Sequence, residues 1–432
     1  MKSSFQTILT VVFLVVFASA ILIFSGLLGN KGPSPKNNKP QGNVEIWGVL
    51  SGDIMQRYFD NFNISNNGYT VNYLEHNPFN FKQDLINALA DGIAPDAVII
   101  NSEILSQIKD RLYTTPFVSF NERTFRDTYI DGAQIFINSE GISAFPLLVD
   151  PLVVFYNKDI LANSNFIVPP RTWNNLSASI SSLTKLNNKN SLTQSAIGLG
   201  QYKNVNNARD ILSALFLQSG NSIISYDSVS KKNIVDLSKN ESSTDDTPVS
   251  AKALSFYTSF SNPTNSNYSW NSGLPNNLEV FLSGKSAFYI GRSSELFAIQ
   301  SKNPNLNFDV MEFFQRDNSP RPITYGSFIA IATLKTSKNP VAGYNALLNL
   351  SSSQAIDILS KDFSIPPARK DLLLINPPNP YTAVFFRAAL SSFSWLDPEP
   401  NNTERIFRDM IENVNSGKKD PQSAIYEAIR NF

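Results

Sequence analysis

The chain has 432 residues, 42% of them hydrophobic, with 36 basic residues matched by 36 acidic ones, one histidine (His76) and no cysteine. This composition excludes disulfides, thiol nucleophiles, cysteine-ligated zinc and a lipid-modified N-terminal cysteine. A lone histidine makes no multi-histidine metal site, so no cofactor or metal is expected. A net charge of zero leaves no basic patch to displace counterions from phosphates, which argues against nucleic acid as a partner.

From Ile8 to Leu28 every residue is apolar or small. These 21 residues, at a rise of about 1.5 Å each, span roughly the 30 Å hydrocarbon core of a bilayer. Residues 1–30 therefore read as an N-terminal membrane anchor or signal segment. Ala18-Ser19-Ala20 has the small-x-small form of a cleavage site; cutting there would leave Ile21 to Phe24 as an apolar new terminus, so the flanks favour an uncleaved anchor. Lys2 on one side and Lys31, Lys36 and Lys39 on the other do not set the orientation. Residues 31–43, rich in Pro, Gly, Lys and Asn, read as a flexible tether.

Beyond the tether, short apolar runs alternate with amphipathic stretches. Val44 to Trp47 reads as a strand, Ile54 to Phe62 as a helix, Tyr69 to Leu74 as a strand and Phe81 to Ala90 as a helix capped by Asn80 and ended at Gly92. Ala97 to Ile100 is a third strand, followed by a helix that Ser102 caps. This alternation argues for a parallel sheet with crossover helices. Ligands bind beyond the carboxyl ends of such strands, which selects Gly48–Asp53, Glu75–Asn77 and Asn101–Glu103. Ser143 to Asn157 is nearly continuously apolar apart from Asp150, which is either an acidic turn between two strands or a ligand contact. Ser177 to Leu186 and Asp210 to Ser219 read as helices, and Asn221 to Thr247 as a polar surface hairpin and loop. The last quarter is mainly helical, at Tyr344–Leu350, Ser353–Ser360, Tyr381–Ser391, Thr403–Val414 and Pro421–Ile429.

Three motif fragments fail on their own chemistry. Gly284-Lys285-Ser286 lacks the first glycine of a phosphate loop, since Glu279 stands there; Gly198-Leu199-Gly200 has Lys203 where a dinucleotide fingerprint needs glycine. Ser182 to Lys185 lacks the companion Ser-Asp-Asn of a penicillin-recognising site. Glu75, Glu103 and Asp150 keep a two-carboxylate glycosidase open as an alternative, although nothing sets any two of them at the required separation.

Several segments together resemble the extracellular solute-binding proteins of ABC importers, in the maltose-binding-like, sugar-binding group (family 1). They are Val44–Trp47 (VEIW), Ala88–Ile100 (ALADGIAPDAVII), Phe145–Ile160 (FPLLVDPLVVFYNKDI), Pro169–Leu176 (PPRTWNNL), Gly284–Gly291 (GKSAFYIG), Gly326–Leu350 and Ile365–Asp371 (IPPARKD), in the family's order. The resemblance implies an α/β periplasmic-binding-protein fold, type II-like, with two doubly wound lobes around a ligand cleft. The chain would leave the first lobe near Leu148, return near Leu274 and leave again near Tyr325. That makes 44–148 plus 275–325 the first lobe and 149–274 plus 326–432 the second. The implied function is capture of a small solute, a sugar or oligosaccharide, and delivery to ABC permease subunits. The globular part would be extracytoplasmic and held at the cell membrane by residues 8–28 in the lipid bilayer. A surface sugar receptor not coupled to import shares the same cleft.

By this resemblance Asp150 faces the sugar, the 101–103 loop supplies Asn101, Ser102 and Glu103, and the polar stretch 201–207 lines the cleft with Gln201, Tyr202, Asn206 and Asn207. Trp395 offers a platform. Trp47, Ser51, Trp270, Arg292 and Tyr325 complete the expected ligand-binding set, with aromatic planes for C–H faces and polar groups for hydroxyls. His76 is either a donor to ligand or a surface-loop residue. Two departures stand out: Ser294 and Ser327 occupy places where relatives often carry aromatic residues, so the stacking surface is expected to be reduced or rebuilt.

Overall fold

The computed structural model describes residues 42–65, 68–227, 232–239 and 246–432. The expected anchor at 1–30, and all of the 31–43 tether except its last two residues, lie outside the described residues. Among the described residues no helix is long and apolar enough to cross a membrane.

The first third of the chain forms the expected alternation. Strand β1 (Asn43–Gly48), helix α1 (Gly52–Ser65), β2 (Thr70–Glu75), α2 (Phe81–Asp91), β3 (Ala97–Asn101) and α3 (Ser102–Ile108) follow one another. β1 pairs parallel with both β2 and β3. Two cap assignments differ from expectation. Asn80 makes no side-chain cap bond, whereas Gly92 does close α2 in a left-handed conformation at φ 69°. Asn101, not Ser102, caps α3, its Oδ1 accepting from the Ile104 amide at 2.9 Å.

Strand β4 (Phe145–Asn157) is one continuous element of 13 residues, so Asp150 sits mid-strand rather than at a turn. Its first half pairs with β8 (Thr324–Thr333), and its second half pairs with β6 (Ser286–Arg292) and β7 (Phe308–Glu312), all antiparallel. Between them lie α4 (Trp173–Leu183), β5 (Leu192–Ile197), α5 (Ala208–Gln218) and α6 (Val249–Ser259). α4 starts four residues earlier than the apolar period suggests, because Thr172 caps it at the Asn175 amide and Trp173 is buried with its indole N–H on Gln218. The expected hairpin appears as Ile224–Asp227 against Lys232–Val235. Five helices follow β8: α7 (Pro340–Leu350), α8 (Ser353–Phe363), α9 (Pro380–Leu390), α10 (Pro400–Asn415) and α11 (Pro421–Asn431), besides the short turn of helix at Lys370–Leu373. The main sheet runs β2-β1-β3-β8-β4-β6-β5, with β7 on β4.

Apolar burial divides this sheet into two cores. One unites residues 44–149 with Phe328 to Leu373; the other unites Leu152 to Tyr325 with Trp395 to Ala428. A smaller cluster covers the far face of the second half through Val153, Phe155, Tyr289 and Phe385. The expected division is therefore corrected: 275–325 packs with the second core and 326–373 with the first. The reason is strand pairing. β6 hydrogen-bonds to β5 and to the distal half of β4, both second-core strands, whereas β8 reaches β3 through Ile329 to Thr333. The chain passes between cores at 149–152, at 325–328 and again after Ala389.

At the second passage Gly326 lies between strands so close that a Cβ there would meet Ser392 Cβ at 2.7 Å and Val149 Cγ2 at 2.8 Å. Gly326→Ala is expected to lower stability by about 1–3 kcal/mol through overpacking, read as a lower denaturation midpoint; an unchanged midpoint would show that these strands separate easily.

Candidate functional site

Where β4 crosses between the cores, the burial that folds both lobes leaves a set of charged groups with little access to water. Asp150, buried in mid-strand, accepts three hydrogen bonds. Ser293 Oγ donates to Oδ1 at 2.7 Å, the Ser294 amide to Oδ1 at 3.1 Å and Ser294 Oγ to Oδ2 at 2.6 Å. Three donors are the usual means of keeping a buried carboxylate satisfied. The serine at 294 thus aims its hydroxyl at Asp150.

Arg209 stands at the centre of the second group. It lies on the first turn of α5, a helix buried nearly all round. Its Nη2 donates to Asp397 Oδ2 at 2.7 Å, and its Nη1 reaches Glu103 Oε1 at 3.2 Å and Glu404 Oε1 at 3.4 Å. Its guanidinium lies 5.3 Å from the Trp395 ring centre, a cation–π distance. Asp397 is held from its other side by Thr403 Oγ1 at 2.8 Å and the Glu399 amide at 3.0 Å. Burial would depress the Arg209 pKa, but Tyr325, Glu103, Asp210 and Asp397 hold it above its ordinary value. Next in the chain, Asp210 pairs with Arg292, whose guanidinium lies over the Tyr325 ring at 6.0 Å.

Glu103 belongs to the first core's α3, whereas Arg209, Asp397 and Glu404 belong to the second. Their ion pair is a direct bridge between lobes. A second bridge comes from Ser106 Oγ, which donates to the Asp397 carbonyl. Glu103 is lifted above the ordinary carboxylate range by burial, with Asp210 and Asp397 pushing the same way and Arg209 and Arg292 opposing. Asp397 is lifted by burial too, against the pull of Arg209.

The expected site residues fall into two sets. Glu103, Asp150, Tyr202, Asn206, Asn207, Arg292, Tyr325 and Trp395 gather around or beside this charged centre. Tyr202 donates its hydroxyl to Glu404; Asn207, in a left-handed conformation at φ 58°, donates to Glu295 at 3.0 Å; Asn206 accepts from Asn276 at 2.7 Å. Ser102, fully buried beside Glu103, keeps a hydroxyl without a partner. Gln201 is half-buried next to Tyr202, and its carbonyl accepts from Tyr257.

The other set does not present itself to a ligand. Asn101 is occupied as the α3 cap. Trp270 is wholly buried with its indole N–H on Asn204 at 3.1 Å. Trp47 is buried and stacks on His76 at 4.1 Å. Ser51 is exposed in a loop where Glu75 accepts from the Gly52 amide at 2.6 Å. His76 is not a free surface residue: Trp47 covers its face and Asp84 meets Nδ1 at 3.2 Å, while Nε2 is buried with no hydrogen-bond partner among the described residues. Trp395, although it lies beside the charged centre, is no open platform: it is only 3% exposed, sandwiched between Arg209 and Phe407. The same loss of access applies to Tyr325, at 1%.

Sequence reasoning missed Arg209, Asp210, Asp397 and Glu404. The signal for the first two was present: an Arg-Asp pair opening ILSALFLQ, a helix too apolar to face water, needs buried partners. Asp397 and Glu404 carried no such mark.

The family model of bacterial extracellular solute-binding proteins matches residues 57–384, and the chain belongs to that family. Among curated proteins none matches the chain. Solved structures share its fold at low identity. A cyclo/maltodextrin-binding protein complexed with maltotetraose has TM-score 0.71 and 16% identity, covering 92% of this chain and 97% of its own. A cyclic α-maltosyl-1,6-maltose binding protein from Arthrobacter globiformis has TM-score 0.72 and 15% identity, over 90% and 97%. An ABC substrate-binding protein from Listeria monocytogenes in complex with cycloalternan has TM-score 0.65 and 18% identity, over 90% and 98%. The family and these neighbours are binding proteins rather than enzymes.

The raised Glu103 gives a pH test. The folded chain holds this proton more tightly than the unfolded chain, so stability falls as pH rises from the ordinary glutamate value through the folded one. Glu103→Gln removes that titration, and its melting temperature is expected to drop less than that of the parent between about pH 4.5 and pH 7. Equal slopes would mean that Glu103 ionises as freely folded as unfolded.

Proposed function

We propose that this chain is the solute-capturing component of an ABC importer, taking up a sugar or oligosaccharide between its two lobes and handing it to membrane permease subunits. The observation that carries this reading is the polar centre at the strand crossings, built from Glu103 on one lobe and Arg209, Arg292 and Asp397 on the other. Groups contributed by both lobes can touch one solute together only when the lobes are close, so a solute that engages both favours the closed form. Carboxylates and guanidinium groups are suited to the paired hydrogen bonds that vicinal hydroxyls offer. The sugars named for the structural relatives point the same way.

The expected ligand contacts retained in this reading are Ser102, Glu103, Asp150, Tyr202, Asn206, Asn207 and Arg292, with Arg209 and Glu404 added. The apolar stretch 8–28, followed by the tether, would hold the binder within about 50 Å of the bilayer, the reach of some 15 extended residues. Recovery of a mature chain that begins after Ala20 and stays in the soluble fraction would remove the tether from this account.

A panel of mono- and oligosaccharides tested by thermal shift is expected to raise the melting temperature, as any ligand of the folded state does. The same sugars are expected to contract the particle in small-angle scattering and to be recovered chemically unchanged. A panel that leaves both readouts unmoved, or sugars returned as hydrolysis products, would overturn the proposal.

A further inference from the structure

Two features of the cleft bear on which solute it takes. The first is the fate of the tryptophans. Trp47, Trp173, Trp270 and Trp395 are 7%, 4%, 0% and 3% exposed, so no indole face is open to stack on the C–H surface of a sugar. The second is the charge at the crossing. Five carboxylates (Glu103, Asp150, Asp210, Asp397 and Glu404) are set against two guanidinium groups, Arg209 and Arg292. Acid exceeds base in a setting where water screens weakly. Glu103 and Glu404 share the single Nη1 of Arg209, at 3.2 and 3.4 Å.

The centre also keeps buried polar atoms that find no hydrogen-bond partner among the described residues. Arg209 Nε, Ser102 Oγ, Ser213 Oγ, Ser394 Oγ and Trp395 Nε1 have no hydrogen-bond partner, and each residue is more than nine-tenths buried. All belong to the segments that carry the charged centre. Ser102 precedes Glu103 and sits one turn from Ser106, which bonds Asp397; Ser213 follows Arg209 by one turn of α5; Ser394 and Trp395 lead directly into Asp397. Buried groups of this kind are ordinarily satisfied, and a concentration of exceptions at one place marks where an outside molecule supplies the partners.

We infer that the solute is a cationic one: a hydroxyl-bearing frame carrying at least one ammonium group, as in an amino sugar. Its ammonium lies between Glu103 and Glu404, and its hydroxyls meet the orphaned serine groups. An ammonium there relieves the excess of acid, adds donors to two carboxylates that share one nitrogen of Arg209, and draws α3 of one lobe toward α10 of the other. This inference rests on the sugar-binding reading above and adds the sign of the charge.

Matched sugars that differ only at the amine separate the two ideas. Titration calorimetry on the full chain in mild detergent would compare glucosamine, galactosamine and the glucosamine disaccharide with their N-acetylated and neutral hydroxyl counterparts, and with spermidine. The amine-bearing sugars are expected to bind at least about tenfold more tightly than their neutral partners. That preference is expected to shrink as salt is raised and to vanish once the amines are deprotonated. Glu404→Gln, at a half-exposed side chain, is expected to fold and to cut the ratio of amine to neutral affinity. Neutral sugars that bind as tightly as the amines, or a ratio untouched by Glu404→Gln, would overturn the charge inference and leave the sugar reading standing. Binding of spermidine alone would uphold the charge inference and overturn the sugar reading, and silence from every compound would overturn both.

Discussion

A carboxylate in the middle of a strand buried at all but one position governs this molecule. β4 contributes to both cores, as β8 does through Tyr325 and Phe328, and Asp150 lies where β4 passes from one to the other. An ionised group without partners at that depth would cost several kcal/mol. The Ser293-Ser294 turn after β6 supplies the donors, which fixes the position of Arg292, and Arg292 in turn neutralises Asp210 at the start of α5. Arg209 is then directed at Asp397 and Glu103. The arrangement of the charged centre follows from satisfying one residue.

The strands that carry the chain between lobes are also among the most tightly packed. β8 pairs with β3 on one side and β4 on the other, and the approach of Ser392 and Val149 to Gly326 leaves no space at the crossing. Relative movement of the lobes must therefore come from twisting of these strands rather than from a loose linker. Contacts that join the lobes across the cleft include the Glu103–Arg209 pair and the Ser106–Asp397 bond, beside which Leu396 packs against the first core. Ion pairing and hydrogen bonding thus take a share in closure beside the Leu396 contact, whereas each lobe is held by apolar burial.

Much of the fold was legible in the residues because local signals and tertiary demands coincide there. The strand and helix alternation up to Ile108, the left-handed stop at Gly92 and the helices after β8 all follow from apolar period and turn chemistry. The assignment of β6 to a lobe was not legible, since GKSAFYIG is apolar throughout and fits either sheet; only its hydrogen bonds to β5 and the distal half of β4 decide. In the site, Glu103, Asp150 and Arg292 could be found from strand ends and from the resemblance. The indole platforms could not be judged, because a tryptophan at a strand end or before a helix looks the same in sequence whether its face is open or covered. Trp395 is covered by Arg209, a contact between residues far apart in the chain. Asp397 and Glu404 were hidden for the same reason: their importance lies in a partner on α5.

The Glu103–Arg209 pair gives the cleft an occupant of its own. The carboxylate comes from the opposite lobe, tethered by the strand crossings and present at a high effective concentration whenever the lobes approach. Any anionic solute seeking Arg209 must displace this resident competitor, and its apparent affinity is reduced by the fraction of time the arginine is already taken. A solute that bridges the two groups without separating them meets no such competition. Selectivity in this cleft is therefore set as much by what the protein already holds against itself as by the groups it leaves free.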